Sequence, residues 1–260
     1  MLADIGWLLP PPAVIDLREI GVSRPGNPPV TALSPVDLAV CLGELVTVAG
    51  PPRPQTSALL QVIGLLDRPT RGRYLLNGLD TAAFGERDRA AVRGREIGFV
   101  FGRHHLLLSR SARDNVALGL LYLGLQGRRR RSAAMELLDR VGMAGRADTV
   151  AGRLSASEQQ FVAIARALAG GPRLLLCEEP TGGLDSAQAA PVIDLITRFR
   201  QGGAAVLAIT SDPALAAYGN RTVAIGPGPD AAWPGPDAGG PGPAAGSPGP
   251  DAGAATRLFQ

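Results

Sequence analysis

The segment LLLCEEPTGGLDS, residues Leu174 to Ser186, leads from a short apolar run directly into two carboxylates and a glycine-containing turn. A near-continuous apolar run of this length, here Arg173 to Cys177, is typical of a strand that is buried on both faces. Similar runs at Leu45 to Ala49, Ala204 to Ile209 and Arg221 to Ile225 are separated by helical patterns. This alternation predicts an α/β fold on a parallel sheet.

Further elements are predicted between these strands. Two more strands are indicated at Arg73 to Leu76 and at Ile97 to Phe101. The apolar spacing indicates helical stretches at Ser57 to Leu66, Asp114 to Val141, Ser155 to Leu168 and Ser186 to Arg200. We therefore expect a mostly helical middle of the chain between two groups of strands.

The composition indicates a globular protein. With 260 residues, of which 45% are hydrophobic and 19% charged, the chain is long enough for one large domain or two small ones. Cys41 and Cys177 lie in apolar stretches without metal-ligand spacing, which excludes disulfide-stapled and zinc-binding classes. The longest apolar run, Val116 to Leu125, is about half of the ~20 residues that a membrane span needs, so we expect a soluble, cytoplasmic chain.

The basic residues are of one type. All 26 are arginine, because the chain contains no lysine, and the formal net charge is only +3. The densest run, Arg128 to Arg131, is a local patch and not the sustained basic face of a nucleic-acid binder, so we expect no nucleic-acid partner. We interpret this run as a solvated helix end, with contact to an acidic partner or to the membrane surface as alternatives.

The end of the chain differs in composition from its middle. The triplet Pro-Gly-Pro begins at Pro227, Pro234, Pro241 and Pro248. Because frequent proline removes backbone donors and fixes φ, residues 226–260 are predicted to be a disordered, extended tail. Residues 1–12 are interpreted as a lead-in, which leaves one folded domain at residues 13–225.

Four segments occur in an order that resembles an ATP-binding subunit of an ABC transporter. They are the strand into Gly50 with its following helix, LSASEQQFVAIARAL at Leu154 to Leu168, LLLCEEPTGGLDS, and ITSDPALA at Ile209 to Ala216. The segment IGLLDRPTRGRYLLNGLD, Ile63 to Asp80, is similar to the lipoprotein-release and macrolide-export branch. The resemblance implies a RecA-like P-loop NTPase core, an N-terminal antiparallel β subdomain and a helical subdomain at about residues 103–165 that carries the signature motif.

The phosphate loop departs from the pattern of this family. The family motif GxxGxGK(S/T) uses backbone N–H groups and a lysine to hold phosphates. This chain instead has Gly50-Pro51-Pro52-Arg53-Pro54-Gln55-Thr56-Ser57. Thr56 stands at the lysine position, Arg53 and Gln55 stand at glycine positions, and prolines remove N–H donors. We expect binding of ATP and Mg²⁺ to be weak or absent, with Arg53 as the one nearby cation in place of the lysine.

The resemblance assigns further positions to the nucleotide. Arg24 stands at the adenine-stacking position, Gly102 replaces a glutamine that senses Mg²⁺, and Ser211 replaces a histidine that contacts the γ-phosphate. Ser57 and Glu178 stand at the Mg²⁺-binding positions, although glutamate is one methylene longer than the aspartate of the family. Glu179 is retained at the position of the general base for the attacking water.

The signature motif LSGGQ is changed to Leu154-Ser155-Ala156-Ser157-Glu158. Ala156 and Ser157 replace the glycines that let the backbone approach the γ-phosphate, whereas Ser155, Glu158 and the later Asp185 are retained. In the family, two ATPase subunits pair head to tail, and these residues complete the site of the second subunit. The resemblance therefore implies a dimer contact at these positions.

These changes favour a catalytically impaired subunit, a pseudo-ATPase. The resemblance implies a homodimer or heterodimer with another ATPase subunit, and membrane permease subunits that hold the chain at the inner face of the cell membrane. Peripheral membrane association is expected only through the permease. Two alternatives stay open, namely slow but genuine ATP hydrolysis with Glu179 as base, and a non-transport adaptor or regulatory scaffold.

Overall fold

The structure is a computed structural model that describes residues 13–49 and 54–225. Its strands are β1 (Ala13–Arg24), β2 (Val30–Cys41), β3 (Leu45–Ala49), β4 (Arg71–Leu76), β5 (Leu79–Asp80), β6 (Ile97–Phe101), β7 (Leu174–Glu178), β8 (Ala205–Thr210) and β9 (Arg221–Val223). Its helices are α1 (Pro54–Ile63), α2 (Glu86–Glu96), α3 (Ala112–Leu121), α4 (Gly127–Arg140), α5 (Ala156–Ala167), α6 (Ser186–Gln201) and α7 (Pro213–Ala217). The predicted lead-in and tail, together with Gly50 and Arg53, lie outside the described residues.

The central sheet consists of five parallel strands in the order β6-β7-β8-β3-β9. Because successive side chains of a strand point to opposite faces, Leu175 and Cys177 of β7 join one buried cluster, and Leu174 and Leu176 join the other. Both faces of the sheet are covered, which explains the near-continuous apolar runs. The predicted α/β class is confirmed, and β3 and β6 have the predicted bounds.

An antiparallel sheet in the order β2-β1-β4-β5 packs with α1 against one face of the parallel sheet. Tyr74 of β4 is 2% exposed, and its hydroxyl donates to the carbonyl of Ile63 at 2.9 Å. Burial raises the pKa of this phenol, so its proton stays in place for the hydrogen bond. The antiparallel subdomain implied by the resemblance is therefore present.

Helices α3, α4, α5 and α6 cover the other face. The prediction of continuous helix over Asp114 to Val141 is wrong, because α3 ends at Leu121 and α4 begins at Gly127. Gly124 in the turn between them has a φ of 75°, and Gly127, the first residue of α4, has a φ of 54°. Both values are left-handed, a conformation that glycine adopts without steric penalty. No helix in residues 13–49 and 54–225 is long and apolar enough to span a membrane.

Helix α5 begins with a reciprocal cap. The Ser155 hydroxyl accepts a hydrogen bond from the Glu158 amide at 3.2 Å, and the Glu158 carboxylate accepts one from the Ser155 amide at 2.8 Å. Arg146 forms an ion pair with Glu158 at 3.1 Å. The amide hydrogen bond is the main cause that lowers the pKa of Glu158, and Arg146 acts in the same direction.

We expect protonation of Glu158 to destabilise the domain. Its folded pKa lies below the unfolded value of about 4.3, so its contribution is complete above that pH and is lost as the pH falls through the folded pKa. Glu158→Gln should therefore lower the free energy of unfolding at about pH 7, and should lower it less at about pH 3. Ser155→Ala, which removes the cap hydroxyl, should cost about 0.5–2 kcal/mol at either pH. Urea denaturation measures the free energy of unfolding of both variants at the two pH values. A loss in Glu158→Gln that is equal at both pH values would contradict the prediction.

Candidate functional site

The carboxyl ends of the parallel strands meet at one edge of the sheet, where α/β proteins bind ligands. Phe101, Glu178 and Ile209 lie side by side near the ends of β6, β7 and β8, and β3 ends beside β8 at the same edge. Three of the predicted site residues directly follow these strands: Gly102, Glu179 and Ser211. The structure therefore brings these residues together.

Glu179, the predicted general base, is held by the main chain on both sides. Its amide donates to the Ile209 carbonyl at 2.8 Å, and its carbonyl accepts from the Gly182 amide at 2.8 Å. Its carboxylate accepts a hydrogen bond from the Ser211 amide at 2.7 Å. The φ of Glu179 is 45°, which is uncommon for a residue with a side chain. The carboxylate is thus held by the main-chain amide of Ser211, the residue at the position that the resemblance assigns to a histidine.

Gly102 stands where the resemblance implies a glutamine. Its amide donates to the Glu178 carbonyl at 2.8 Å. A Cβ atom at Gly102 would lie 2.4 Å from the carbonyl oxygen of Glu179, which is far inside a normal contact distance. The two main-chain segments are closer than a residue with a side chain allows. This part of the site lacks both the glutamine side chain and the space for it.

The described part of the phosphate loop starts at Pro54, the first residue of α1. Thr56, at the lysine position, is 7% exposed and belongs to the buried side of the helix. The side-chain oxygen of Gln55 accepts a hydrogen bond from the Ser34 amide at 3.4 Å, and Ser57 is half-buried. A short buried hydroxyl therefore occupies the place where the family has a long cationic side chain.

A cavity of about 400 Å³ lies beside Glu179, between α6 and α7. The Thr181 hydroxyl donates to the Asp212 carboxylate at 2.8 Å and joins the loop after β7 to the start of α7. Glu179, Asp194 and Asp212 line the cavity, and no arginine or histidine among the described residues does so. Of these carboxylates, Asp194 forms an ion pair with Arg198 at 2.8 Å, while Asp212 accepts the hydrogen bond from Thr181.

Arg24 lies at the end of β1, and its guanidinium forms an ion pair with the Asp67 carboxylate at 2.5 Å. The side chain of Gln61 accepts a second, longer hydrogen bond from the same guanidinium at 3.5 Å. The structure thus gives Arg24 partners in and after α1. Stacking of Arg24 on adenine stays a prediction.

The retained signature and loop residues are helix caps in this chain. Ser155 and Glu158 cap α5, and Asp185 caps α6 by accepting a hydrogen bond from the Gln188 amide at 2.9 Å. The Ser157 hydroxyl lies 3.2 Å from the Ser155 hydroxyl. Ser155, Asp185 and Ala156 are exposed, so a second subunit has access to them, and their contribution to its site stays a prediction.

Arg166 was not predicted as a site residue, although it joins the signature helix to the segment after Gly102. It lies near the end of α5 and donates to the carbonyls of His105 and His104 at 2.7 and 2.8 Å. Burial lowers the pKa of Arg166, yet a guanidinium stays protonated in proteins. Its sequence signal is the single charge in the otherwise apolar run Val162 to Leu168, because a charge in a buried helix face needs partners.

The site was tested against the ATP and Mg²⁺ that the resemblance implies. Ser57 and Glu178 provide oxygen atoms, which are the donors that Mg²⁺ prefers. Across residues 13–49 and 54–225, however, no group of three or more His, Cys, Asp or Glu residues could hold a metal ion. The buried Thr56 provides no charge for a triphosphate. Among the described residues, the lysine position of the phosphate loop thus carries a buried hydroxyl and no positive charge.

The known proteins that this chain resembles are ABC transporter proteins. Residues 33–182 match the ABC transporter family. The chain is 40% identical over 217 residues to the pyoverdine export ATP-binding/permease protein PvdT of Pseudomonas syringae pv. tomato, which covers 83% of this chain and 33% of that protein. It is also 40% identical over 221 residues to the macrolide export ATP-binding/permease protein MacB of Rhodospirillum rubrum, with 84% and 34% covered.

Solved structures agree with these relatives. The dimeric, post-hydrolysis ATP-binding cassette MJ0796 bound to ADP and Pi superimposes with a TM-score of 0.73 at 31% identity, over 81% of this chain and 94% of that one. The chain spans about a third of the length of the curated relatives that it matches. Fold, order of motifs and relatives agree that the chain belongs to the ABC transporter family, as an ATP-binding subunit of the macrolide-export-like branch.

Proposed function

We propose that this chain is a catalytically impaired ATP-binding subunit of an ABC exporter, and that it works beside a second ATPase subunit and a membrane permease. The observation that carries the proposal is the buried Thr56 at the lysine position of the phosphate loop. No other lysine takes over this role, because the chain contains none.

The loss of the lysine has a large effect on affinity. A hydrogen bond to a charged group contributes about 1.5–3 kcal/mol, and about 1.4 kcal/mol corresponds to a tenfold change in affinity. The missing lysine alone therefore weakens ATP binding by about tenfold to a hundredfold. Prolines in the loop remove further donors to the phosphates.

Hydrolysis is weakened at other positions. The Glu179 carboxylate is engaged by the Ser211 amide, and Gly102 has no side chain to orient water or metal. Removal of one preorganised donor to a developing charge typically lowers the rate by about a hundredfold to a thousandfold. A retained general base does not compensate for losses of this size. We therefore expect the chain alone to hydrolyse ATP without useful turnover.

The relatives support the proposed partners. The names of PvdT and MacB combine ATP-binding and permease functions with export, and MJ0796 was solved as a dimer. We infer that this chain likewise meets a permease and a second ATPase subunit, which places it at the cytoplasmic side of a membrane. In this arrangement Ser155, Glu158 and Asp185 would contact the nucleotide site of the second subunit.

Equilibrium binding of ATP with Mg²⁺ tests the proposal. The parent should show no binding at millimolar ATP, whereas Arg53→Gly, Gln55→Gly, Thr56→Lys and Ser211→His combined should bind. The matched control carries the same changes except Thr56→Lys. It should bind about tenfold to a hundredfold more weakly than the full combination, because the lysine provides the charged hydrogen bond. Clear binding by the parent at micromolar ATP would refute the impaired-subunit proposal.

Gly102→Gln should destabilise the domain and leave ATP hydrolysis absent. Its Cβ would lie 2.4 Å from the Glu179 carbonyl oxygen, and overpacking of this kind typically costs about 1–3 kcal/mol. The matched control is Gly145→Gln, because a Cβ at Gly145 meets nothing within 4 Å. The control should change the free energy of unfolding by less than about 0.5 kcal/mol. Urea denaturation compares the two variants, and equal stability of both would show that the site has room for the glutamine.

A further inference from the structure

The cavity between α6 and α7 has features that the proposed function does not use. Its volume of about 400 Å³ lies in the range of ligand pockets. One wall is a single face of α6, because the lining positions follow helical spacing: Ser186, Ala189, Ala190, Ile193, Asp194 and Thr197. From Ser186 to Asp194 this face rises by about 12 Å along the helix axis. The cavity therefore extends well beyond the loop that carries Glu179.

One end of the cavity carries two carboxylates without a paired cation. Glu179 and Asp212 both line the cavity, and neither forms an ion pair with a described residue. The Ser211 amide donates to Glu179 at 2.7 Å. The Ala214 amide and the Thr181 hydroxyl donate to Asp212 at 2.8 Å each. These neutral donors orient the carboxylates and leave both charges in place, so this end of the cavity favours a cation.

Farther along α6, the cavity is lined by a buried hydroxyl without a partner. Thr197 is 9% exposed, and its Oγ1 atom has no hydrogen-bond partner among the described residues. A buried polar group in this state costs free energy until a partner reaches it. Asp194 lies three residues earlier on the same helix face, and its carboxylate pairs with the exposed Arg198 at 2.8 Å. This part of the cavity thus offers a hydroxyl and a carboxylate oxygen to a hydrogen-bond donor.

We propose that the cavity between α6 and α7 binds a linear diamine, an organic dication with a methylene chain between two ammonium groups. The first ammonium group binds between Glu179 and Asp212. The second donates hydrogen bonds to the Thr197 hydroxyl and to the Asp194 carboxylate, which gives the buried hydroxyl its partner. An ammonium group carries three donors and no acceptor, so it matches walls that offer oxygen acceptors. This binding goes beyond the proposed function and requires no nucleotide.

The middle of the cavity favours an alkyl chain over a bare metal ion. Ala189 and Ile193 line it between the two polar ends and are 6% and 4% exposed. A methylene chain packs on these side chains, whereas an inorganic cation leaves them without a partner. In residues 13–49 and 54–225, no group of three or more His, Cys, Asp or Glu residues could hold a metal ion. An organic cation therefore uses more of the cavity than a metal ion does.

Isothermal titration calorimetry of the full chain tests the proposal. The probes are the terminal diamines of butane, hexane and octane, and the matched ligands are the monoamines of the same lengths. At least one diamine should bind about tenfold to a hundredfold more tightly than its monoamine, because the second ammonium group adds a charged hydrogen bond. No diamine binding at millimolar concentration, or equal affinities for diamine and monoamine at every length, would overturn the proposal.

Variants separate the two ends of the cavity. Thr197→Val and Asp194→Asn should each weaken the diamine by about tenfold and leave the monoamine unchanged, because they alter only the second ammonium site. Glu179→Gln should weaken both ligands. Asp139→Asn is the charge-matched control, since Asp139 lies on α4 outside the cavity and forms no ion pair with a described residue. The control should bind the diamine within about twofold of the parent.

Stability without ligand distinguishes a binding role of Thr197 from a structural one. Because its hydroxyl has no partner to lose, Thr197→Val should keep or raise the free energy of unfolding in urea. A clear loss of stability would show that the hydroxyl serves the fold and would overturn its role toward a ligand. Equal losses of affinity in Asp139→Asn and Glu179→Gln would reveal nonspecific charge attraction and would also overturn the proposal. Circular dichroism confirms that each variant is folded.

Discussion

Main-chain hydrogen bonds at the carboxyl ends of β6, β7 and β8 fix the geometry of the candidate site. The Gly102 amide donates to the Glu178 carbonyl, and the Glu179 amide donates to the Ile209 carbonyl. Ile209 is buried and Gly102, Glu178 and Glu179 are half-buried, and these main-chain groups find their partners within the chain. The main-chain bonds at the strand ends therefore do not depend on which side chains the site carries, and the fold of the family is kept although residue types at the site differ.

The fold depends on packing and main-chain hydrogen bonds, whereas the site depends on a few side chains. The chain can therefore belong clearly to the family while its site carries different residue types. The residues that build the two buried clusters follow the apolar pattern of the strands and helices, and packing constrains them. The positions that the family uses for nucleotide, such as Thr56, Gly102 and Ser211, contribute little to these clusters. The clusters therefore keep their packing although these positions carry other residue types, while Gly102 itself has no room for a side chain. Sequence identity to the export proteins therefore supports the same fold for this chain, and it does not by itself support the same ATPase activity.

Much of the fold could be predicted from the sequence, because buried parallel strands leave near-continuous apolar runs. Leu45 to Ala49 and Ile97 to Phe101 were predicted with the bounds that the structure gives. The break between α3 and α4 was missed, since the apolar spacing continues through Leu125 and only the backbone angles of Gly124 and Gly127 show the turn. At the site, the changed residue types can be read directly from the sequence. The close approach of Gly102 to the Glu179 carbonyl and the hydrogen-bond partners of Arg166 could not be predicted, because these contacts join segments far apart in sequence.

Helix α5 has a fixed contact near each end. At its amino end it carries Ser155 and Glu158, and near its carboxyl end Arg166 holds the carbonyls of His104 and His105. Twelve helical residues span about 18 Å and behave as a stiff rod on this scale. A displacement of the amino end of α5 would therefore move the segment after Gly102 as well, because Arg166 ties that segment to the same helix. The two ends of α5 are thus coupled mechanically through the helix itself.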